Sequence, residues 1–271
     1  MAELDAMLDL ALDLTDRAGR LTLGYFRGGT RPEWKADATP VTVADREAET
    51  LIRHELERVH PDHAVVGEEF GVQDGTAPYR WWIDPIDGTK AFVRGVPLYG
   101  VLIGVEREGV PVLGVAAFPA LGETIAAAHG RGCRLNGRRC YVSDTSDLAR
   151  AAASTTDAGA FAAAGRRAAW DRLTAATWIR AGWGDAYGYA LVASGRIEIM
   201  ADPALHPWDA APFPVLLSEA GGWFGDWAGR VTMHGGEGLA TNAALRAPVL
   251  RLLANEDRDT VPGEDADRLG A

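Results

Sequence analysis

The sequence predicts a mixed α+β protein, on the border of mixed α/β, built of layered helices and sheets. Three observations carry that prediction. Apolar Leu4, Met7, Leu8, Ala11, Leu14, Ala18 and Leu21 recur at helical spacing near the start. Short apolar runs at 64–66 and 81–83 read as strands, and each leads directly into acidic residues. Between 98 and 143, apolar runs separated by glycine and proline read as an antiparallel meander.

Taken in order, the spacing predicts an amphipathic helix over 3–26, then a polar loop over 28–40. Thr42-Val43-Ala44-Asp45 reads as a helix start, with an acid three residues after a hydroxyl cap. Ala48, Leu51, Ile52, Leu56 and Val59 supply one face of that helix, and Pro61 ends it. The meander's strands fall at 98–105, 112–118 and 123–128, with a turn at Leu135-Asn136-Gly137. Residues 145–220 alternate helix-like and strand-like pieces, including a helix at 186–193 and a strand at 196–200. The stretch from Asn255 is acidic and apolar-poor and reads as disordered. The chain is accordingly divided into an N-terminal subdomain over 1–143, a C-terminal subdomain over 144–254 and a tail over 255–271.

Composition narrows the function classes. The 271 residues suffice for a substantial core, and no run approaches the ~20 apolar residues of a membrane span. The opening Met-Ala-Glu-Leu-Asp lacks the layout of a signal peptide, so a cytoplasmic location is expected and no membrane partner. Cys133 and Cys140 are read as reduced thiols, too few for a thiolate metal site. The net charge of -11 argues against nucleic acid as a partner, which requires a basic face.

The most informative stretch is Trp82-Ile83-Asp84-Pro85-Ile86-Asp87-Gly88-Thr89. A strand ends in an aspartate, and Pro85 stops the ladder because it has no N–H to donate. Asp87 can then turn back toward Asp84, Gly88 lets backbone approach a ligand, and a helix start would offer free N–H groups to an anion. Two carboxylates beside an anion call for a cation between them, and Mg2+ is a hard ion that takes oxygen ligands. In isolation each acidic element has a plainer reading. The D-x-x-D-G-T run could be a capped turn, Glu68-Glu69 a solvated pair, Asp209 a helix cap, and Asp45 a helix-dipole partner.

Together, in order, the elements resemble the inositol monophosphatase superfamily of Mg2+-dependent phosphatases. They are Lys35, Val41-Thr42-Val43-Ala44-Asp45, Gly67-Glu68-Glu69, Asp84 to Thr89, and Trp208-Asp209. The resemblance covers about residues 5–253. It implies a layered αβαβα sandwich, a small-molecule phosphate ester as substrate, a homodimer, and two or three Mg2+ ions. Glu68, Asp84 and the Ile86 carbonyl would hold one ion, and Asp84, Asp87 and Asp209 a second, with Glu68 also serving a weaker third through water. Thr89, oriented by Asp45, would align the attacking water, and Gly88 and Thr89 N–H groups would cradle the phosphate. A non-catalytic phosphate-ligand binder is the competing class, and the full carboxylate set argues against it.

The substrate is read from fewer residues. The segment from Phe92 to Pro97, with Arg94 in it, and Gly184-Asp185-Ala186-Tyr187-Gly188-Tyr189 resemble the histidinol-phosphate branch. A carboxylate at Asp185 can pair with the ammonium or imidazole of histidinol phosphate, a helix cap being its plainer reading. Inositol monophosphate is the runner-up, then a broad sugar or polyol phosphatase. Asp202 stands where inositol enzymes carry a substrate-gripping glutamate. His60 and His63 are expected at the surface, His206 in a loop with the pocket lining as its alternative, and Trp178 and Trp183 in the core with the surround of the substrate pocket as theirs. Pro212 and Pro214 depart from the family's regular helix after Asp209, so that helix should start late or irregularly.

Overall fold

The N-terminal apolar stripe forms α1 (Ala2–Tyr25), within a residue of its expected bounds; the computed structural model describes residues 2–28, 32–34 and 40–254. Lys35 and the acidic tail lie outside the described residues. The expected loop over 28–40 carries, where described, a short antiparallel pair, β1 (Glu33–Trp34) with β2 (Pro40–Val41). Thr42 caps α2 (Val43–Val59) in a capping box with Asp45. The first sheet then follows as β3 (Ala64–Gly67), β4 (Gly71–Gln73) and β5 (Tyr79–Asp87). After α3 (Thr89–Val93) it continues through the meander β6 (Gly100–Arg107), β7 (Val110–Phe118) and β8 (Glu123–Ala128). A hairpin of β9 (Arg134–Leu135) and β10 (Arg138–Arg139) closes it. Its turn residues Asn136 and Gly137 both have positive φ, the geometry that favours Asn-Gly there. Cys133 and Cys140 flank this hairpin as free thiols.

The second half contributes β11 (Ala152–Ser154), α4 (Ala158–Ala163), α5 (Arg167–Ala176) and β12 (Ile179–Ala181). Then come α6 (Asp185–Ala193), β13 (Ile199–Asp202), α7 (Pro207–Ala210) and α8 (Phe213–Glu219). The last elements are β14 (Gly222–Gly225), β15 (Gly238–Asn242) and α9 (Arg246–Ala254). The strand expected at 196–200 begins later, at Ile199. Arg196 and Ile197 are spent on closing α6, their N–H groups reaching back to the Leu191 carbonyl.

The eight-stranded sheet has the order β10-β9-β8-β7-β6-β5-β3-β4 and the five-stranded sheet β12-β11-β13-β15-β14. Three apolar clusters set the layers. Met7, Leu14, Ile52 and Leu56 of α1 and α2 pack on Trp81, Ile83, Ile103 and Val115 of the larger sheet. Trp82, Leu102 and Phe118 point from the opposite face, as strand alternation requires, into a cluster with Tyr189 of α6, Phe213 and Leu216 of α8, and Met200 and Phe224 of the smaller sheet. Phe161, Trp170, Leu173, Val249 and Leu253 of α4, α5 and α9 cover the far face of the smaller sheet. The result is an αβαβα sandwich, and both sheets share the central helix layer.

Two local features depart from the sequence reading. Pro85 does not end its strand: β5 continues to Asp87, pairing Asp84 with Leu102 and Asp87 with Gly100 across a register shift. A bulge between the two paired aspartates accommodates the missing N–H of Pro85. His63 is buried rather than superficial, stacked on His60 at 4.3 Å and accepting the Trp81 indole N–H at Nδ1.

Candidate active site

Parallel pairing of β3 with β5 sets Gly67 opposite Ile83, and the Glu68 N–H donates to the Ile83 carbonyl. Glu68 therefore follows its strand beside Asp84. Across the bulge, the Ile86 N–H returns to Asp84 Oδ1 at 3.0 Å, and Thr89 Oγ1 donates to the Ile86 carbonyl at 3.0 Å. Gly88 has φ 80, and a Cβ there would stand 3.0 Å from the Leu98 carbonyl oxygen and 3.2 Å from Asp185 Oδ2. Both the backbone and the space require glycine.

Asp209 arrives from the second half of the chain. The two prolines split the expected helix into α7 and α8, and Asp209 sits in the first piece, its carboxylate accepting the His206 N–H at 3.1 Å. The break rests on bare backbone: a Cβ at Gly104 would lie 2.4 Å from Ala211 Cβ, and one at Gly114 would lie 2.3 Å from the Pro212 carbonyl oxygen. Close packing of the irregular turn on β6 and β7 holds Asp209 in place. His206 caps α7 with its ring stacked on Trp208.

Asp84, Asp87 and Asp209 each bring a carboxylate oxygen within 4.8 Å of the others. Burial pushes Asp84 well above the usual carboxylate range, with repulsion from Glu68, Asp87 and Asp209 adding to it. Asp87 is raised likewise by burial and by Asp185 and Asp209, and Asp209 is pushed up to about 6 by burial. Asp45 is fully buried. Its Oδ2 accepts from the Thr42 N–H and hydroxyl, while Oδ1 has no protein partner. Burial, then Glu69 and Glu68, raise it to about 6. A cluster of oxygen donors that repel one another, with a buried oxygen left unpartnered, fits a hard divalent cation. The expected pairing of Thr89 with Asp45 is replaced by Thr89 with Ile86 and Asp45 with Thr42.

The first turn of α6 faces the same cluster, its Ala186 N–H donating to Asp87 Oδ2 at 2.6 Å. Beside it lies a cleft of about 550 Å³ lined by Trp34, Lys90, Val93, Arg94, Thr156 and Trp183 together with Asp157 and Asp185. Asp185 is pushed up to about 7, first by burial and then by Asp202, with Lys90 pulling the other way. Arg94 is exposed at the end of α3.

Asp202 does not present a free carboxylate to this cleft. It is buried, with Oδ1 accepting from Thr155 Oγ1 and the Thr156 N–H, and Oδ2 from Thr156 Oγ1 and Tyr189 OH. Parallel pairing of β11 with β13 brings those threonines to it, and its place is that of a scaffold. Trp178 and Trp183, expected in the core, are 68% and 44% exposed.

One residue behind the site escaped the sequence reading. Glu49 is fully buried in α2 and accepts from Arg53 Nε at 2.7 Å, the Glu69 N–H at 2.8 Å and the Phe70 N–H at 3.3 Å. A Cβ on Gly67 would lie 2.0 Å from Glu49 Oε1, so the glycine before Glu68 makes room for that carboxylate. The available signal was a charge on the Ala48–Ile52 core face with an arginine one turn on.

The sequence model of the inositol monophosphatase family matches residues 3–258. A histidinol-phosphatase of Chlorobaculum parvum is 42% identical, covering 93% of this chain and 98% of that protein. One of Mycobacterium tuberculosis is 40% identical, covering 91% and 97%. Among solved structures, the extragenic suppressor protein suhB of Bartonella henselae superposes with a TM-score of 0.85 at 28% identity, covering 92% of this chain and 99% of that one.

Proposed function

The chain belongs to the inositol monophosphatase family of metal-dependent phosphatases and is a phosphoric monoester hydrolase, and on that footing we propose that it hydrolyses histidinol phosphate with Mg2+. The observation that carries the substrate reading is Asp185, which sits on the wall of the cleft, its Oδ2 close to Gly88 and the Asp84–Asp87 segment. A carboxylate there suits a substrate whose alcohol part bears an ammonium and an imidazole. The relatives named histidinol-phosphatase support the same choice.

Glu68, Asp84, the Ile86 carbonyl, Asp87 and Asp209 are the oxygen donors that would hold two or three ions. Mg2+ held there would supply charge to neutralise the phosphoryl oxygens and to lower the pKa of water toward neutral. The chain's own part is positioning. The bulge of β5 sets Asp84 and Asp87 apart, and the first turn of α6 holds Asp87 in its orientation. Gly88 and Thr89 N–H groups take the phosphate at the opening of α3. The Thr89 hydroxyl and the free oxygen of Asp45 direct the attacking water. Arg94 and Asp185 read the substrate, and Asp202 holds the wall that carries Asp185. Among the described residues no helix is long and apolar enough to cross a membrane. A cytoplasmic homodimer belongs to the same proposal on family resemblance.

Phosphate release with Mg2+ from histidinol phosphate and inositol 1-phosphate, run side by side, tests the reading. A strong preference for histidinol phosphate is expected. Preference for inositol 1-phosphate overturns the substrate, and release from neither overturns both.

A further inference from the structure

The wall of the cleft holds a backbone conformation that its residues do not favour. Trp183 has φ 60 and Asp185 has φ 39, in the left-handed region where glycine is at ease. A bulky residue stays there only when its surroundings over-determine it. The Trp183 N–H donates to the Thr156 carbonyl, the Gly184 N–H to the Thr155 carbonyl, and the Asp185 N–H to Thr156 Oγ1. Those threonines are in turn fastened by the buried carboxylate of Asp202. This scaffold does not serve to bury the indole, because Trp183 is 44% exposed. Trp34, 69% exposed on β1, lines the same cleft. Two exposed indoles line one cleft, one of them on a strained and braced turn, with Asp157 and Asp185 beside them.

We propose that Trp34 and Trp183 form an aromatic clamp for a planar, cation-capable ring on the alcohol part of the substrate. The inference rests on the histidinol-phosphate reading and assigns the imidazole to the indoles. An indole face attracts a cation and stacks on a flat ring, whereas a puckered polyol ring offers neither. Asp157 and Asp185 line the same cleft and can pair with such a ring when it is charged, with Lys90 and Arg94 as the opposing cations of the lining.

The test compares kcat/KM for histidinol phosphate with that for glycerol 2-phosphate, a phosphate ester without a ring, in the full-length protein with Mg2+. Trp183→Ala and Trp34→Ala are each expected to lose about tenfold on histidinol phosphate, through KM, and to stay within about twofold on glycerol 2-phosphate. Trp183→Phe should recover most of the loss. Trp183→Gly removes the ring while fitting the backbone, so it should keep the parent's melting temperature yet lose the preference. Equal losses on both esters, or no loss on either, overturn the clamp. A parent that prefers histidinol phosphate, with variants that keep that preference, overturns the clamp alone. A parent with no preference overturns the substrate reading and the clamp with it.

Discussion

Replacing Glu49 probes how a residue outside the acid cluster sets its geometry. Glu49→Ala removes a fully buried carboxylate, leaves Arg53, at 14% exposure, without its ion-pair partner and with the Gly71 carbonyl as acceptor, and leaves the Glu69 and Phe70 N–H groups without theirs. Breaking a buried charge pair by removing one partner costs about 3–5 kcal/mol. For a protein of this size, 1 kcal/mol corresponds to about 2–4 °C, so the melting temperature should fall by roughly 10 °C. The loop between β3 and β4 carries Glu68, so the loss should also reach metal binding. Residues that orient metal ligands typically change affinity by about 10–100-fold, and the half-saturating Mg2+ concentration should rise by at least about tenfold. Glu49→Gln keeps the shape and one acceptor and should fall between parent and Glu49→Ala. The assays are thermal unfolding without metal and a Mg2+ titration of phosphate release. A Glu49→Ala protein with parental melting temperature and parental Mg2+ dependence would show that Glu49 does not hold the Glu68 loop.

Asp84→Asn should lower phosphate release on the order of 10³-fold at saturating Mg2+ while the fold persists, as circular dichroism would check. Asp185→Asn should raise KM for histidinol phosphate about tenfold and leave inositol 1-phosphate nearly unchanged, measured by phosphate release from each. Metal-free protein should lose stability as pH rises. Asp45 stands at about 6 in the fold against 3.8 for an ordinary aspartate, so its contribution is complete below about pH 4 and lost as pH passes through 6. Two pKa units correspond to about 3 kcal/mol, and Asp209 acts in the same direction. Mg2+ should therefore raise the melting temperature more at pH 7.5 than at pH 5, as scanning fluorimetry with and without Mg2+ would measure.

Much of the fold was legible because it is written at short range. The stripe of α1 and the capping box of α2 depend on residues three or four apart, and the hairpin at Asn136-Gly137 on two adjacent ones. Asp84 and Asp87 were recognisable for the same reason, since one bulged strand carries both. The end of β5 was misjudged because Pro85 forbids one ladder bond, whereas a bulge dispenses with that bond and lets pairing resume at Asp87. The start of β13 was misjudged because helix closure competes for the same N–H groups.

The acids were harder to sort than to find. Asp45, Asp202 and Asp209 look alike in the sequence, yet one keeps an unpartnered oxygen, one is bonded throughout, and one joins a carboxylate cluster. Their fates depend on neighbours delivered by strand pairing and helix packing from distant parts of the chain. Glu49 and Trp183 show the same limit. The first has its role because Gly67 leaves room for it, and the second because Thr155 and Thr156 brace its turn. Periodicity and local motifs thus specify which elements form and which chemistry is present, since both arise from nearby residues. How the converging carboxylates are held, which acids are satisfied and which ring lines the cleft is settled by contacts between segments far apart in the chain.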